Sequence, residues 1–150
     1  MPKHIELIAR GIIIRDQRLL ICIASGGYCY LPGGHIEFGE SAEVALKREL
    51  VEECGQKIDV GDLLACQEHT FSTKKSHHEL NLTFRCRLLN PRAVIVSREP
   101  EITFAWLDGK ELKAADFRPL AMKHWLHRIW KTLLSKRPLQ PAWIPQIPSH

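Results

Sequence analysis

The 150-residue sequence predicts an α+β domain, and three stretches carry that expectation. The runs Ile5–Ile14 and Arg18–Ala24 are rich in β-branched and aliphatic residues and flank Asp16-Gln17, as a buried strand pair around a short turn would be. In ELNLTFRCRL, the apolar residues Leu80, Leu82, Phe84, Cys86 and Leu88 alternate with polar ones, the mark of a half-buried strand. Further on, Leu120, Met122, Trp125, Leu126, Ile129, Trp130, Leu133 and Leu134 recur at helical spacing, which makes Pro119–Ser135 an amphipathic helix with proline near its first turn.

The remaining elements follow from local signals. Ser25-Gly26-Gly27 and Pro32-Gly33-Gly34 punctuate a loop. Ser41 as N-cap and Gly55 just past the C-terminus bracket a helix of about four turns. Leu63–Phe71, Glu79–Leu89 and Ile102–Leu107 read as strands, and Ala93–Val96 as a short additional one. The polar side of the last helix carries Lys123, His124, His127, Arg128, Lys131 and Lys136. A membrane-surface helix has that pattern, but a core-packing helix with a solvated basic face is the simpler reading. The chain therefore divides into a domain over residues 1–136 and a proline-rich tail over 137–150, RPLQPAWIPQIPSH. The tail is expected to be extended, with Trp143 and Ile144 able to dock on the body or on a second subunit of a homodimer.

Composition narrows the class. At 45% hydrophobic and 25% charged, the chain has the make-up of a soluble globular protein. No apolar run approaches the ~20 residues of a membrane span. MPKHIELIAR bears an early acid and no apolar core, so it is not a signal peptide, and a cytoplasmic location is the default. The five cysteines are odd in number and lack C-x-x-C spacing, which argues against a disulfide framework or zinc site. Cys22, Cys66 and Cys86 lie in apolar runs and read as core residues. The net charge of +4 is modest, and nucleic acid is a disfavoured partner.

One stretch is at odds with its own helix. In LPGGHIEFGESAEVALKRELVEECG, Glu49, Glu52 and Glu53 crowd the C-terminal end, where the helix dipole costs a carboxylate about 0.3–1 kcal/mol. The 49/52 and 49/53 spacings add like-charge neighbours at roughly 0.2–0.5 kcal/mol per pair. At ~100° per residue the three share an arc beside the Leu46–Leu50–Cys54 row, at the edge of the core. A hard, oxygen-liganded cation such as Mg²⁺ or Mn²⁺ would satisfy them; an acidic solvated face is the plain alternative.

The surrounding residues favour the cation. Gly34, Glu40, Arg48, Glu49, Leu50, Glu52, Glu53 and Gly55 fit G-x5-E-x7-R-E-U-x-E-E-x-G, with U a bulky aliphatic residue. This closely resembles the signature of the Nudix hydrolases, which cleave nucleoside diphosphates linked to another group. Leu31-Pro32-Gly33 resembles the family's usual lead-in, and the resemblance extends from Ile5 to about Ser135. Gln56 departs from it, since the family places an aliphatic residue there.

The resemblance implies a Nudix fold, a mixed curved β-sheet sandwiched between helices in an α/β/α arrangement. It implies an Mg²⁺-dependent (or Mn²⁺-dependent) pyrophosphohydrolase in which Glu49, Glu52 and Glu53 bind the cation, with the Gly33 carbonyl a further ligand. Glu52, Glu53 and Arg48 form the catalytic group, supported by Gly34, Gly55 and Glu40, which pairs with Arg48 or reaches the metal through water. Glu53 is the first choice to take the water proton, with Glu79, Glu99 and Glu101 as later candidates for a base or extra ligand. Family markers for ADP-ribose, dinucleoside polyphosphate and NADH are absent: Phe71 stands where a proline would mark ADP-ribose enzymes, and both tyrosines precede the box. A nucleoside triphosphate or modified one leads by elimination, a small-molecule partner. Tyr28 is a candidate to stack on a base, and Lys74 and Lys75, beside His77 and His78, to hold a distal phosphate; loop packing and a solvated loop are the alternatives. Two other functions remain open: a non-catalytic Nudix-like nucleotide sensor, and an RNA-binding or decapping protein.

Overall fold

The structure is a computed structural model that describes residues 3–146. Strands β1 (Ile5–Arg15) and β2 (Arg18–Ala24) form the anticipated pair. Asp16 and Gln17 turn the chain with φ of 51° and 62°, the doubly left-handed turn whose twist suits a tight hairpin. Short strands β3 (Cys29–Tyr30) and β4 (Gly33–His35) occupy the segment expected to be loop.

Helix α1 (Ala42–Cys54) starts and stops at its caps: Val44 N–H donates to Ser41 Oγ, and Gly55 takes φ 71° while its N–H bonds the Val51 carbonyl. Next, β5 (Ile58–Ser72) and β6 (Ser76–Leu88) form one long hairpin, both starting earlier than their sequence pattern indicates. The strand β7 (Ile102–Leu107) has its expected bounds. Asp108 and Glu111 make a reciprocal capping box that starts α2 (Gly109–Ala114), a helix too short to show periodicity. Then come α3 (Leu120–Leu134) and β8 (Ala142–Ile144).

β1 organises the sheet. Residues 5–13 run parallel to β6, residues 8–10 run antiparallel to β4, and its last two residues pair with β2, which carries β3 and β7. Neighbouring side chains on a strand point to opposite faces, so Ile13 packs with Leu46, Leu50 and Cys54 of α1. Ile12 packs on the other side with Leu112 of α2 and Met122, Trp125 and Leu126 of α3. Helices thus cover both faces of a mixed sheet, the α/β/α arrangement the resemblance implies. On α3, His124, His127, Arg128 and Lys131 are exposed, so its basic face is solvated. Among the described residues, no helix is long and apolar enough to cross a membrane.

Two sequence expectations are corrected. Ala93–Val96 is not a strand: Ala93 is buried, but Val94 and Val96 are exposed, and the Ala93 carbonyl accepts from the Arg15 guanidinium at 2.7 Å instead of from a ladder partner. Cys22 and Cys86 are buried as expected, but Cys66 is only half-buried, because its neighbours Ala65 and Gln67 take the inward face of β5.

The tail segment 142–144 docks on this chain's own body. It adds a parallel strand to residues 65–67 of β5, Ile144 is 4% exposed, and Trp143 stays 58% exposed. The Gln146 carboxamide exchanges two hydrogen bonds with the Thr70 backbone. Residues 147–150 of the tail lie outside the described residues. Removing residues 140–150 strips this strand and Ile144 from the core, and burying one such side chain contributes about 1.5–3 kcal/mol. The truncated chain is expected to melt roughly 5 °C lower; an unchanged melting temperature would show that β8 adds no stability.

Candidate active site

The acids and glycines of the box meet where β4 lies against α1. Gly33, at φ 139°, pairs with Arg10, and a side-chain carbon there would fall 2.0 Å from the Ala9 carbonyl oxygen. At Gly34 it would fall 2.4 Å from Glu49 Cδ. Glycine at 33 therefore lets β4 lie close on the β1 backbone, and glycine at 34 lets backbone run directly over the Glu49 carboxylate.

Arg48 holds the cluster together. Its guanidinium donates twice to Glu40, from Nε at 3.2 Å and from Nη2 at 2.7 Å, the two-pronged geometry that gives orientation as well as charge. The same side chain donates to Glu49 at 3.0 Å, Glu52 at 3.3 Å and the His35 carbonyl at 3.0 Å. Arg48 and the Glu37 N–H hold the Glu40 carboxyl below its usual range. The Glu40–Arg48 pairing implied by the resemblance is present. Gly55 is fixed beside Arg98, whose guanidinium would lie 2.4 Å from any added side-chain carbon. Gln56, the departure from the box, is half-buried.

The three glutamates are not equivalent. Glu53 is 8% exposed, and the Glu49 side chain 17%, while that of Glu52 is 54% exposed and points toward solvent. Among the described residues, no three or more acids, histidines or cysteines converge into a metal-sized group. Glu49 and Glu53 line one cavity with Gly33 and Gly34, whereas Glu52 is outside that lining, although Arg48 Nη1 donates to it as well as to Glu49.

Glu53 carries the unusual electrostatics. Burial first, then the Glu49 charge, push its carboxyl up to about 7, against the opposing Arg10 charge and a hydrogen bond from the Gly33 N–H. Its Oε2 is buried and has no partner among the described residues. A buried carboxylate oxygen without a donor costs stability, and a divalent cation with oxygen ligands is the group that would satisfy it. The donors present fit such a cation.

Glu49 and Glu53 line a cavity of about 770 Å³. Tyr28 lines it too, with the Arg118 guanidinium 4.6 Å from its ring centroid. Of the later acids, Glu79 faces the cavity. Glu99 is exposed, yet near enough for its charge to raise the Glu53 carboxyl further. Glu101 is exposed and outside the lining. Lys74 and Lys75 sit exposed on the β5–β6 turn, also outside the lining, although Ser72 and Thr73 belong to it. His77 and His78 are engaged with Glu6 at 3.0 Å and Glu68 at 2.8 Å.

Among the lining residues that the sequence does not single out are Arg10, Gln67 and Asn81. Arg10 donates to the Leu31 carbonyl at 3.1 Å and to Asn81 Oδ1 at 3.4 Å, over the Tyr30 ring. Its signal is a charge in the middle of the apolar run of β1. Asn81 and Gln67 give none, since a polar residue on an alternating strand reads as solvated.

The family model described as NUDIX domain matches residues 6–129. A MutT-like protein of Streptomyces ambofaciens is 32% identical over 114 residues, covering 74% of this chain and 68% of that one. A nudix hydrolase 1 of Caenorhabditis elegans is 29% identical over 122 residues, 76% of this chain but only 32% of that relative's length. The fold is similar to a NUDIX hydrolase from Nitrosomonas europaea, at TM-score 0.71 and 18% identity over 97% of this chain and 81% of that one. It is also similar to an ADP-ribose pyrophosphatase from Streptococcus suis, at TM-score 0.70 and 15% identity over 93% and 99% of the two chains. The matched span runs from β1 into α3 and holds the acid box together with every residue that lines the cavity; the chain belongs to the Nudix hydrolases, a family of pyrophosphohydrolases.

Proposed function

We propose that this chain hydrolyses a pyrophosphate linkage in a nucleoside di- or triphosphate derivative by water attack at phosphorus. The observation that carries the reading is the unpartnered Glu53 Oε2, buried beside Glu49 at the wall of a cavity. Glu49 and Glu53 would hold Mg²⁺ or Mn²⁺, with Glu52 and the Gly33 carbonyl as outer members of the set. Bound there, the cation supplies charge neutralisation for the pyrophosphate and lowers the pKa of a water.

The chain's own groups do the rest. Arg48, braced by Glu40, orients the Glu49 carboxylate. Glu53, buried beside the Glu49 charge at the cavity wall, is the first choice to take the water proton. Glu99 is the second choice on position, and Glu101 has no support. The cavity is of the size that holds a small organic ligand, and Tyr28 offers a face on which a base stacks.

A cation that binds the folded acid cluster and not the unfolded chain stabilises it by about 2.7 kcal/mol at 100 times its dissociation constant. Melting with Mg²⁺, with Mn²⁺ and with chelator checks this. An unchanged melting temperature at saturation counts against the metal site. A nucleotide panel with Mg²⁺, scored for phosphate and pyrophosphate release, tests the reaction, and no turnover on any member would sink the hydrolase reading.

A further inference from the structure

Helix α1 ends with a deficit that another segment fills. Its last turn holds Glu52 and Glu53 and no basic residue, although the partial negative charge at a helix C-terminus favours a cation there. Arg98, half-buried in the segment that leads into β7, supplies one. Its guanidinium lies over Gly55: Nη2, Cζ and Nε are the atoms nearest to a side-chain carbon built at that glycine. Its backbone N–H donates to the Glu53 carbonyl at 2.7 Å, closing one of the acceptors that a helix end leaves open.

The neighbours of Arg98 are tied as firmly. Ser97 Oγ accepts from the Glu99 N–H at 3.1 Å and donates to the Glu99 carbonyl at 2.8 Å. The same carbonyl accepts from the N–H of Ile102, the first residue of β7, at 3.4 Å. Residues 97–99 therefore form a short bridge between the end of α1 and the start of β7. Glu99 is exposed, yet its charge reaches Glu53 and raises that carboxyl. Like charges repel, so an acid on a free loop would swing away from Glu49 and Glu53. This one is held by its backbone.

We propose that Arg98 is a positioning residue, which latches residues 97–99 onto the end of α1 and so keeps the Glu99 carboxylate beside the cation that Glu49 and Glu53 would hold. This role rests on the proposed cation site. Gly55 leaves room for the guanidinium, and the guanidinium offsets the negative end of the helix. Glu99 adds negative charge at the outer edge of the acid cluster and strengthens cation binding from there.

The sign of one substitution separates position from charge. Removing a positive charge near a cation site would by itself tighten binding, whereas releasing Glu99 weakens it. Calorimetric titration with Mn²⁺ of the full chain, of Arg98→Ala, of Glu99→Gln and of the double variant reads this without turnover. Each single variant is expected to bind about tenfold more weakly, the scale of an outer-shell change at a metal site. The double variant is expected to bind no more weakly than either, because residues that act through one another do not add. A merely structural Arg98 gives another pattern: Arg98→Ala melts lower in chelator but binds Mn²⁺ as the parent does. That result overturns the latch, as does a hundredfold loss in the double variant or parent-like binding by Glu99→Gln. Should Arg98→Ala not fold, Gly55→Ala takes its place. The added carbon occupies the room of the guanidinium and displaces it without altering any charge, and losses that add to those of Glu99→Gln then overturn the latch. A parent that binds no Mn²⁺ overturns the cation site and the latch with it; a parent that binds while the losses add overturns the latch alone.

Discussion

Glu53→Gln is expected to lose about 10²–10⁴-fold in turnover, the usual reach of a positioned base, and yet to be the more stable protein in chelator at pH 8. The amide keeps the shape of the side chain and can still accept the Gly33 N–H, but removes a buried charge. In the folded chain, burial and then the Glu49 charge push the Glu53 carboxyl up to about 7 from an ordinary value of 4.5. Between those values the folded state holds a proton that the unfolded state has released. The stability contributed by this group is therefore fully present below pH 4.5 and lost as pH rises through about 7. At pH 8 the folded state bears the whole cost of the buried charge, roughly 2–4 kcal/mol.

Melting both proteins in chelator at pH 5 and pH 8 checks the sign: the advantage of Glu53→Gln should grow with pH. Saturating Mg²⁺ should then reverse the order, because only the parent has the full ligand. Glu43→Gln is the control on the same helix. It breaks only an exposed pair with Lys47, which is worth about 0–1 kcal/mol, and should hydrolyse at the parent rate. Equal activity and pH-independent stability in both variants would reduce the acid cluster to a solvated face.

How far the sequence reveals this site depends on which forces set each part. The caps of α1 are local chemistry, so Ser41 and Gly55 mark its ends correctly. The acid box is legible because three carboxylates at a helix C-terminus contradict the dipole and need a reason. Which of them turns inward is not legible. Glu52 and Glu53 are adjacent in sequence, and only the seating of α1 against β1 and β4 buries one and exposes the other. The short elements β3, β4 and β8 exist through the strands they pair with. No propensity within two or three residues announces them.

The cavity floor is hidden for a sharper reason. Register shifts between Val60 and Leu63, and again between Leu63 and Ala65, interrupt the alternation of β5 before Gln67. A one-residue slip exchanges the two faces of a strand. The sequence pattern ahead of the bulges therefore does not say which face Gln67 takes. On β6 the alternation is unbroken, but its polar side holds both the buried Asn81 and the half-exposed Glu79. Polarity alone does not separate a solvated edge from a binding floor.

Gly33→Ala is expected to be the most destabilising single-carbon change in the box. The new Cβ would meet the Ala9 carbonyl oxygen at 2.0 Å and Arg10 Cα at 3.0 Å. Both belong to the backbone of β1, which is bonded to β6 along residues 5–13 and has no freedom to withdraw. Backbone strain at the left-handed φ adds about 1–3 kcal/mol, and overpacking about 1–3 kcal/mol more. A loss of roughly 3–5 kcal/mol lowers the melting temperature by about 10 °C in a domain of this size. Two neighbouring glycines separate the causes. Gly39 also has a left-handed φ, 88°, but nothing lies within 4 Å of an added carbon, so Gly39→Ala should cost about 1–2 kcal/mol from conformation alone. At Gly34 the nearest atoms to an added carbon are those of the Glu49 carboxylate, a flexible side-chain end that can move aside. Gly34→Ala should keep most of its stability and lose cation binding, seen as a melting temperature that no longer responds to Mg²⁺. If Gly33→Ala melts with the parent, β4 is not pinned to β1, and the backbone over Glu53 is not the rigid wall that holds the site.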